Sequence, residues 1–250
     1  MLQVQQDGFR LNVTLDRPEV RNAFNDELIG ELTRVFRGIP EGVRAVVLRG
    51  NGPTFCAGGD LEWMRRASSY TKEENVADAL KLAHLFQSIA EAPTAVIAMV
   101  QGAAFGGGCG VVAASDVAIA IEGTKFSFSE VKLGLIPGTI SPFVMDKIGR
   151  GHSRSLFATG EVFLTDKALR IGLVHDVGSA EEVEEILANK LAALKMAGPR
   201  AIGQAKRLTL DKNLTLEDCA QRLAEARASE EGKEGVAAFL EKRKATFVLP

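Results

Sequence analysis

The sequence has few of the residues that build metal sites and disulfide frameworks. Its 250 residues include three cysteines and three histidines, and the cysteines, Cys56, Cys109 and Cys219, are widely spaced without a C-x-x-C pair. Structural zinc sites and disulfide scaffolds need closely spaced Cys and His residues. We therefore expect no metal site and no disulfide, and a reducing, cytoplasmic location.

The chain also lacks an excess of charge and a long apolar run. The 30 Lys and Arg residues nearly balance the 32 Asp and Glu residues, giving a net charge of −2, so the positive field that favours nucleic acid or anionic membranes is absent. No stretch approaches the roughly 20 uninterrupted apolar residues of a membrane span. We expect no membrane partner, and nucleic acid is disfavoured.

What the sequence does have is alternating strand and helix patterns, followed by helices alone. The segments LQVQQ and FRLNVTL flank Asp7-Gly8, a dipeptide typical of tight hairpin turns. Further along, apolar spacing predicts helices and short apolar runs predict strands. The helices are expected at 25–37, 72–90, 181–196, 199–210, 216–229 and 236–242, and the strands at 43–48, 94–100, 117–121 and 126–128. This order predicts an α/β core at 1–190 and a C-terminal helical region at 191–250.

Glycine is abundant, at 25 residues, and two clusters lie between a predicted strand and a predicted helix. They are FCAGGDL at 55–61 and AAFGGGCG at 103–110. A helix N-terminus has unpaired N–H groups and a partial positive charge, and glycine lets a ligand approach the backbone closely. Two such termini facing each other can hold one oxygen as negative charge develops on it. For either cluster alone, close helix packing without a function stays open.

Glu130 is the third element, within the apolar segment FSFSEVKLGLIPGTISP at 126–142. Desolvation in apolar surroundings raises the proton affinity of a carboxylate, which a general acid or base near neutral pH requires. A surface or helix-capping glutamate is the alternative that the local sequence leaves open.

Together these segments resemble those of the crotonase superfamily, the enoyl-CoA hydratases and isomerases, over essentially the whole chain. The resemblance implies a crotonase-like (ClpP/crotonase) α/β fold, a spiral of strand-strand-helix repeats with a C-terminal helical trimerisation region. It also implies a trimer or a dimer of trimers that adds water reversibly to an α,β-unsaturated acyl-CoA. The coenzyme A thioester would be the substrate, and no other cofactor is expected.

The resemblance also implies roles for individual residues. Glu130 would transfer protons, and the backbone N–H groups of Ala57 and Gly107 would form an oxyanion hole. RPEVRNAF at 17–24 is similar to the family's CoA-binding start, and EGVAAFLEKRKATF at 234–247 is similar to its C-terminal ending. The residues implied along the CoA are Arg21, Ala23, Ala57, Gly59, Asp60, Leu61 and Gly107, joined by Phe239 and Lys242 from a neighbouring subunit.

Gly110 departs from the pattern of the two-carboxylate hydratases, which have a glutamate just after the glycine run. Glu130 is then the single carboxylate, so a Δ3,Δ2-enoyl-CoA isomerase is the second interpretation and a non-catalytic CoA- or RNA-binding relative is the third. If Gly110 marks a lost carboxylate, Gly110→Glu is expected to raise the hydration of crotonyl-CoA.

Two runs, CAGGDLEWMRR and FSEVKLGLIPGTISP, resemble the methylglutaconyl-CoA and carboxygeranoyl-CoA hydratases of leucine and acyclic-terpene breakdown. Some members of that branch also have glycine after the glycine run, so hydration is the favoured reaction. The branch handles acyl groups with a free carboxylate, for which Arg65, Arg66 and Lys132 are candidate partners. Trp63 and Tyr70 are expected to shape the acyl pocket.

Overall fold

The computed structural model describes residues 1–250. It begins with an antiparallel hairpin of β1 (Leu2–Asp7) and β2 (Arg10–Leu15). Gly8 in its turn has a φ of 56°, a left-handed conformation that glycine adopts without a steric penalty. The hairpin predicted around Asp7-Gly8 is confirmed.

The rest of the core alternates helices with strands. Single-turn 3-10 helices occupy Pro18–Val20 and Ser129–Leu133. The other elements are α1 (Asp26–Arg37), β3 (Ala45–Gly50), α2 (Leu61–Ala67), α3 (Lys72–Ala90), β4 (Ala95–Val100), β5 (Ala103–Phe105), α4 (Gly107–Ala114), β6 (Val117–Ile121), β7 (Lys125–Ser127), α5 (Ser141–Thr159), β8 (Phe163–Leu164), α6 (Thr165–Arg170) and β9 (Asp176–Gly178). Four helices follow, α7 (Ala180–Met196), α8 (Pro199–Leu210), α9 (Leu216–Ala228) and α10 (Glu230–Leu240).

The main sheet has six strands in the order β1-β2-β3-β4-β6-β9, and every pair after the hairpin is parallel. Both faces of its central strands are buried, which is why these strands are nearly continuous apolar runs. Val46 and Leu48 of β3 face the larger core, whereas Ala45 and Val47 face the smaller one. The smaller core is covered by Val183, Leu187 and Leu191 of α7.

A second sheet of three short strands, in the order β5-β7-β8, lies next to the glycine segments. It is joined to the 55–61 segment by an isolated bridge between Cys56 and Ala104, and that segment forms a second bridge between Gly59 and Phe24. These bridges bring three distant parts of the chain together. The mixed α/β architecture confirms the predicted fold class.

Several boundaries differ from the sequence-based predictions. The structure adds α2, α5 and α6, and the final helix begins at Glu230 and ends at Leu240, whereas 236–242 was expected. It begins earlier because the Ser229 hydroxyl accepts from the N–H of Gly232 and caps it. The division at residue 190 stays a prediction, and this position lies inside the continuous helix α7. None of the helices is both long enough and apolar enough to span a bilayer.

Candidate active site

The first glycine loop, residues 55–61, is held between two backbone segments. On the inner side, Cys56 donates to Ala103 and accepts from Phe105. On the other side lie residues 21–24, which we call the outer segment. The N–H of Phe24 donates to the carbonyl of Gly58 at 2.7 Å, and the carbonyl of Phe24 accepts from the N–H of Asp60 at 2.8 Å. The loop is therefore pinned on both sides by backbone hydrogen bonds.

These bonds decide which N–H groups of the loop are free. The N–H of Ala57 donates to the carbonyl oxygen of Arg21 at 3.0 Å, which argues against Ala57 as the first oxyanion donor because its donor is already used. The N–H groups of Gly58 and Gly59 donate to no backbone carbonyl, and that of Gly58 is directed at the Cys56 sulfur. Gly58 is buried and Gly59 is partly exposed, so Gly59 has the donor that a ligand can reach.

The second glycine loop, residues 103–110, continues from β5 into the first turn of α4. The N–H of Gly106 is used by Ser127, but those of Gly107, Gly108 and Cys109 have no acceptor in the protein, as expected for a helix N-terminus. Among these three residues only Gly107 is partly exposed. The structure thus leaves the Gly107 donor available, in agreement with its predicted role.

The carboxylate of Glu130 lies beside the second glycine loop, where the first loop approaches it. A Cβ atom added to Gly106 would lie 3.2 Å from Oε1 of Glu130 and 4.0 Å from Cα of Gly58. The other carboxylate oxygen, Oε2, is buried and has no hydrogen-bond partner in the protein. Burial raises the pKa of Glu130 above its ordinary value, and its own backbone N–H offsets this only in part. Such a carboxyl is suited to proton transfer near neutral pH.

Position 110 has no room for a side chain. A Cβ atom at Gly110 would lie 2.4 Å from Cγ2 of Ile140 and 2.8 Å from the ring of Phe86. The N–H of Gly110 donates to the carbonyl of Gly106, so this apolar wall lies one helical turn from Glu130 along α4. This geometry argues against the expectation that Gly110→Glu raises hydration, because a glutamate there collides with the side chains of Ile140 and Phe86.

The two cysteines of the glycine loops are not nucleophiles. Cys56 and Cys109 are fully buried, and burial raises the pKa of the Cys56 thiol to about 12. Burial also raises the pKa of Cys109, whose Sγ donates to the carbonyl of Ala104. Because the thiolate is the reactive form, covalent catalysis through sulfur is disfavoured, and Glu130 is the titratable group of the site.

The other predicted binding residues fall into two groups. Arg21 and Leu61 are exposed beside the first glycine loop, Ala23 is 5% exposed, and Asp60 is 7% exposed and ion-paired to Arg17. Asp60 is therefore a structural member of the loop, with no free charge for a ligand. Phe239 and Lys242 are exposed at the end of α10, and no hydrogen bond or ion pair joins either to the glycine loops of the same chain.

The candidate partners of an acyl carboxylate differ in availability. Arg65 pairs with Glu62 at 3.2 Å, and Arg66 pairs with Asp26 at 2.6 Å. Lys132 is exposed and has no ion-pair partner, although its side chain packs near Gly160. Trp63 and Tyr70 are partly buried, and carbon atoms of Trp63 and Met64 lie against Gly59.

Sequence reasoning missed Arg17, Asn22, Phe86 and Ile140. Arg17 was included only in the run RPEVRNAF at 17–24, without a role of its own, yet its guanidinium donates to Asp60, 43 residues away. Asn22 is fully buried at a φ of 55°, and non-glycine residues at positive φ are a signal only once the backbone is known. Phe86 and Ile140 read as ordinary core positions, since nothing local indicates that they fill the space beside Gly110.

Comparisons with known proteins identify the family of the chain. The sequence profile described as enoyl-CoA hydratase/isomerase matches residues 10–248. A crotonyl-CoA hydratase of Syntrophomonas wolfei is 32% identical over 245 residues, covering 94% of this chain and 92% of the relative. The crystal structure of an enoyl-CoA hydratase from Shewanella pealeana superposes with a TM-score of 0.93 at 37% identity, covering 98% and 95% of the two chains. Pseudomonas aeruginosa AtuE superposes with a TM-score of 0.95 at 36% identity over 99% of each chain. The chain therefore belongs to the enoyl-CoA hydratase/isomerase family.

Proposed function

We propose that the protein is an enoyl-CoA hydratase, a lyase that adds water reversibly across the double bond of an α,β-unsaturated acyl-CoA. The observation that carries the proposal is the meeting of Glu130 with two glycine loops that each leave a reachable N–H group free. The chain matches relatives named as hydratases over nearly their whole length, which supports the reaction. Coenzyme A is part of the substrate, and the reaction calls for no metal or redox cofactor.

The oxyanion hole is formed by the N–H groups of Gly59 and Gly107. Gly59 replaces Ala57 in this role because the Ala57 donor is bonded to Arg21. When water adds to the β-carbon, electrons move onto the thioester oxygen, and two fixed N–H donors stabilise that charge. Losing one such donor typically costs about 3 to 4 kcal/mol of barrier.

Glu130 carries both proton transfers. As a carboxylate it accepts a proton from the attacking water, and as a carboxylic acid it delivers that proton to the α-carbon. The raised pKa of Glu130 suits both steps, because a carboxyl whose pKa lies closer to neutral both gains and loses a proton readily. Retention of this buried carboxyl also argues against the non-catalytic binding interpretation.

The isomerase is the second candidate, and the wall at position 110 favours it. Ile140 and Phe86 are apolar and fill the space beside Gly110, so no second carboxylate positions water there. A single base that moves a proton from the α-carbon to the γ-carbon would interconvert 3-enoyl-CoA and 2-enoyl-CoA. The two reactions use the same oxyanion hole and differ only in whether water is added.

For the substrate we propose 3-methylglutaconyl-CoA, within leucine degradation or the metabolism of related acyl-CoA thioesters such as those of fatty acids. Lys132 is the unpaired cation of the three candidates, which supports it as the partner of a free carboxylate more than Arg65 or Arg66. Assembly as a trimer or a dimer of trimers and a cytoplasmic location belong to the same proposal.

The test mixes the purified protein with 3-methylglutaconyl-CoA, crotonyl-CoA and a 3-enoyl-CoA in parallel, follows the absorbance of the enoyl thioester and identifies products by mass. Hydration adds 18 mass units to a 2-enoyl substrate, roughly the mass of one water, whereas isomerisation creates absorbance at constant mass. Glu130→Gln should lower turnover at least ~100-fold. Isomerisation without hydration would replace the first proposal by the second.

A further inference from the structure

The outer segment sets the shape of the first glycine loop. Its three hydrogen bonds, from Ala57 to Arg21, from Phe24 to Gly58 and from Asp60 to Phe24, engage alternate groups of the loop. They leave the N–H of Gly59 as the one that is both free and partly exposed. A displacement of the outer segment would therefore move the donor itself.

The outer segment needs support to hold its own conformation. Arg21 and Asn22 each have a φ of 55°, a left-handed backbone that costs energy for residues with a Cβ. The buried side-chain amide of Asn22 donates to the carbonyls of Asn51 and Thr54 at 2.9 and 2.8 Å. Its Oδ1 accepts from the backbone N–H of Arg17 at 2.9 Å.

The Arg17 guanidinium joins the outer segment to the end of the loop. Nη1 donates to the carbonyl of Ala23 at 2.6 Å, and Nη2 donates to Oδ2 of Asp60 at 2.8 Å. The side chains of Arg17 and Asp60 are only 12% and 9% exposed. The second oxygen of Asp60, Oδ1, accepts from the N–H groups of Glu62 and Trp63 and caps α2.

We propose that Arg17 and Asp60 are positioning residues that hold the Gly59 N–H at the oxyanion hole. Arg17 is the one side chain that bonds both to the outer segment and to the loop that the segment pins. Neither residue donates to the substrate; each acts through the backbone between them. The inference rests on the oxyanion hole of the proposed function and gives it a support that lies in a different part of the sequence.

We call the hydrogen bonds of Arg17 to Ala23 and Asp60 the clamp. Removal of the clamp should weaken stabilisation of the charged transition state more than binding of the ground state. Arg17→Met loses both bonds, whereas Arg17→Lys keeps the charge but has a single ammonium to serve two acceptors. Asp60→Asn keeps the Oδ1 acceptor for α2 and turns an amide donor towards Arg17. Since a displacement of about 1 Å can cost ~100-fold in rate, we expect turnover to fall about 10- to 100-fold, least in Arg17→Lys, with KM and the Kd of free CoA within about twofold.

The experiment adds a second readout that requires no turnover. A 3-ketoacyl-CoA bound at the site ionises to an enolate whose charge is shared by the thioester oxygen, and this enolate has its own ultraviolet absorbance. The apparent pKa of the bound probe is measured for wild type and each variant. We expect it to rise by about 1 to 2 pH units when the clamp is broken, because one donor no longer stabilises the enolate.

Arg49→Met is the matched control. Arg49 forms a bidentate pair with Glu184 at 2.6 and 2.8 Å, on α7 rather than at the glycine loops. It should leave kcat and the probe unchanged. The double variant Arg17→Met/Asp60→Asn should lose less than the sum of the single losses, because both changes break one interaction.

The outcomes separate this inference from the proposed function. Unchanged kcat and an unchanged probe pKa in Arg17→Met, in protein that is folded at the assay temperature, would overturn the positioning role. A wild type that forms the enolate without hydrating any enoyl-CoA would refute the hydratase, while the probe would still decide the role of Arg17 and Asp60. A wild type that does not form the enolate would overturn the inference, because Gly59 would then serve no oxyanion hole.

Discussion

Burial of the Glu130 carboxylate has a cost to stability that a catalytic role explains. One of its carboxylate oxygens is buried with no hydrogen-bond donor in the protein, and burial raises its pKa. A carboxyl with a raised pKa in the folded state binds its proton more tightly there than in the unfolded chain. Its favourable contribution is present below the unfolded pKa and is lost as the pH rises through the folded pKa.

Glu130→Gln should therefore stabilise the protein at neutral pH while lowering its turnover at least ~100-fold. The neutral amide avoids burying a charge, so we expect the melting temperature to rise by about 2 °C or more at pH 7, the scale of a change near 1 kcal/mol in a domain of this size. At pH 4 the gain should shrink, because the wild-type carboxyl is then largely protonated. Thermal melts at both pH values check this, and a gain that is equal at both would contradict a raised pKa.

Gly110→Ala tests the apolar wall. Even a methyl group at this position collides with Ile140 and Phe86, so we expect a loss of about 1 to 3 kcal/mol in the free energy of unfolding, with a further loss in Gly110→Glu. In an Ile140→Ala background Gly110→Ala should cost less than in the wild type, because the nearest colliding atom is gone. Chemical denaturation measures each variant.

The control for this prediction is Gly30→Ala in α1, where no neighbouring atom lies within 4 Å of the added Cβ. It should be neutral or should stabilise the protein by up to about 1 kcal/mol, since alanine favours helices over glycine. Equal changes in the free energy of unfolding for Gly30→Ala and Gly110→Ala would show that Ile140 and Phe86 move aside without cost.

Sequence reasoning succeeds for residues whose role depends on local context and fails where a distant partner decides. An apolar segment singles out Glu130 and a strand-to-helix glycine run singles out the second loop, whereas the role of Gly107 is implied by the family resemblance, and both roles stay predictions. The choice between Ala57 and Gly59 depends on the carbonyl of Arg21, 36 positions before Ala57 in the sequence, which takes one donor and leaves the other. No property of FCAGGDL alone reveals that bond.

Among the elements, α8 is joined to the core sheet through a buried ion pair of Lys206. Nζ of Lys206 donates to Oδ2 of Asp116 at 2.7 Å and to the carbonyls of Ile89 and Thr94. The Lys206 side chain is 8% exposed. The same Asp116 oxygen accepts from the N–H of Val96 at the start of β4, so one carboxylate links α8 to the sheet.

Lys206→Met should destabilise the docking of α8. Removal of one partner from a buried pair costs 3 to 5 kcal/mol, and because the Asp116 side chain remains 28% exposed we expect about 2 to 3 kcal/mol. Asp116→Asn combined with Lys206→Met should recover about 1 kcal/mol, since the carboxylate that has lost Lys206 is then neutral. Denaturation curves and amide exchange in α8 measure the effect.

Lys212→Met provides the comparison at an exposed pair. Lys212 bonds to Asp146 with both side chains more than half exposed, and such pairs contribute about 0 to 1 kcal/mol. If Lys206→Met lowered the free energy of unfolding no more than Lys212→Met does, the ion pair with Asp116 would not stabilise the docking of α8.

At the scale of elements, regular patterns were predictable and interrupted ones were not. The helix at Lys72–Ala90 and the strand at Val117–Ile121 match their expected bounds, because their apolar spacing is continuous. Helix α5 was missed since Gly149, at a φ of 76° within it, breaks the periodicity that identifies a helix. Its buried face is clear only when Val144, Ile148 and Leu156 are seen on the core.

The whole molecule leaves apolar surface exposed on its last two helices. Leu216 and Leu223 of α9 are 83% and 51% exposed, and Phe239 and Leu240 of α10 are 81% and 73% exposed. A groove of about 990 Å³ between α8 and α9 is lined by further leucines. Exposed apolar surface of this kind marks interaction sites, which supports the proposed self-association.

Mixed assemblies decide whether Phe239 and Lys242 serve a neighbouring site. Glu130→Gln subunits have an intact C-terminal ending but no base, whereas Phe239→Ala/Lys242→Ala subunits have the base but an impaired ending. If the ending reaches across, co-assembled mixtures contain sites that combine an intact Glu130 with an intact neighbouring ending. The KM of those sites should return from the raised value of the double variant towards that of wild type.

Each variant alone, and the two variants mixed without subunit exchange, provide the baselines in steady-state assays. A KM that stays raised in verified mixed assemblies would mean that each ending serves its own subunit, because only then does every site with an intact Glu130 keep an impaired ending.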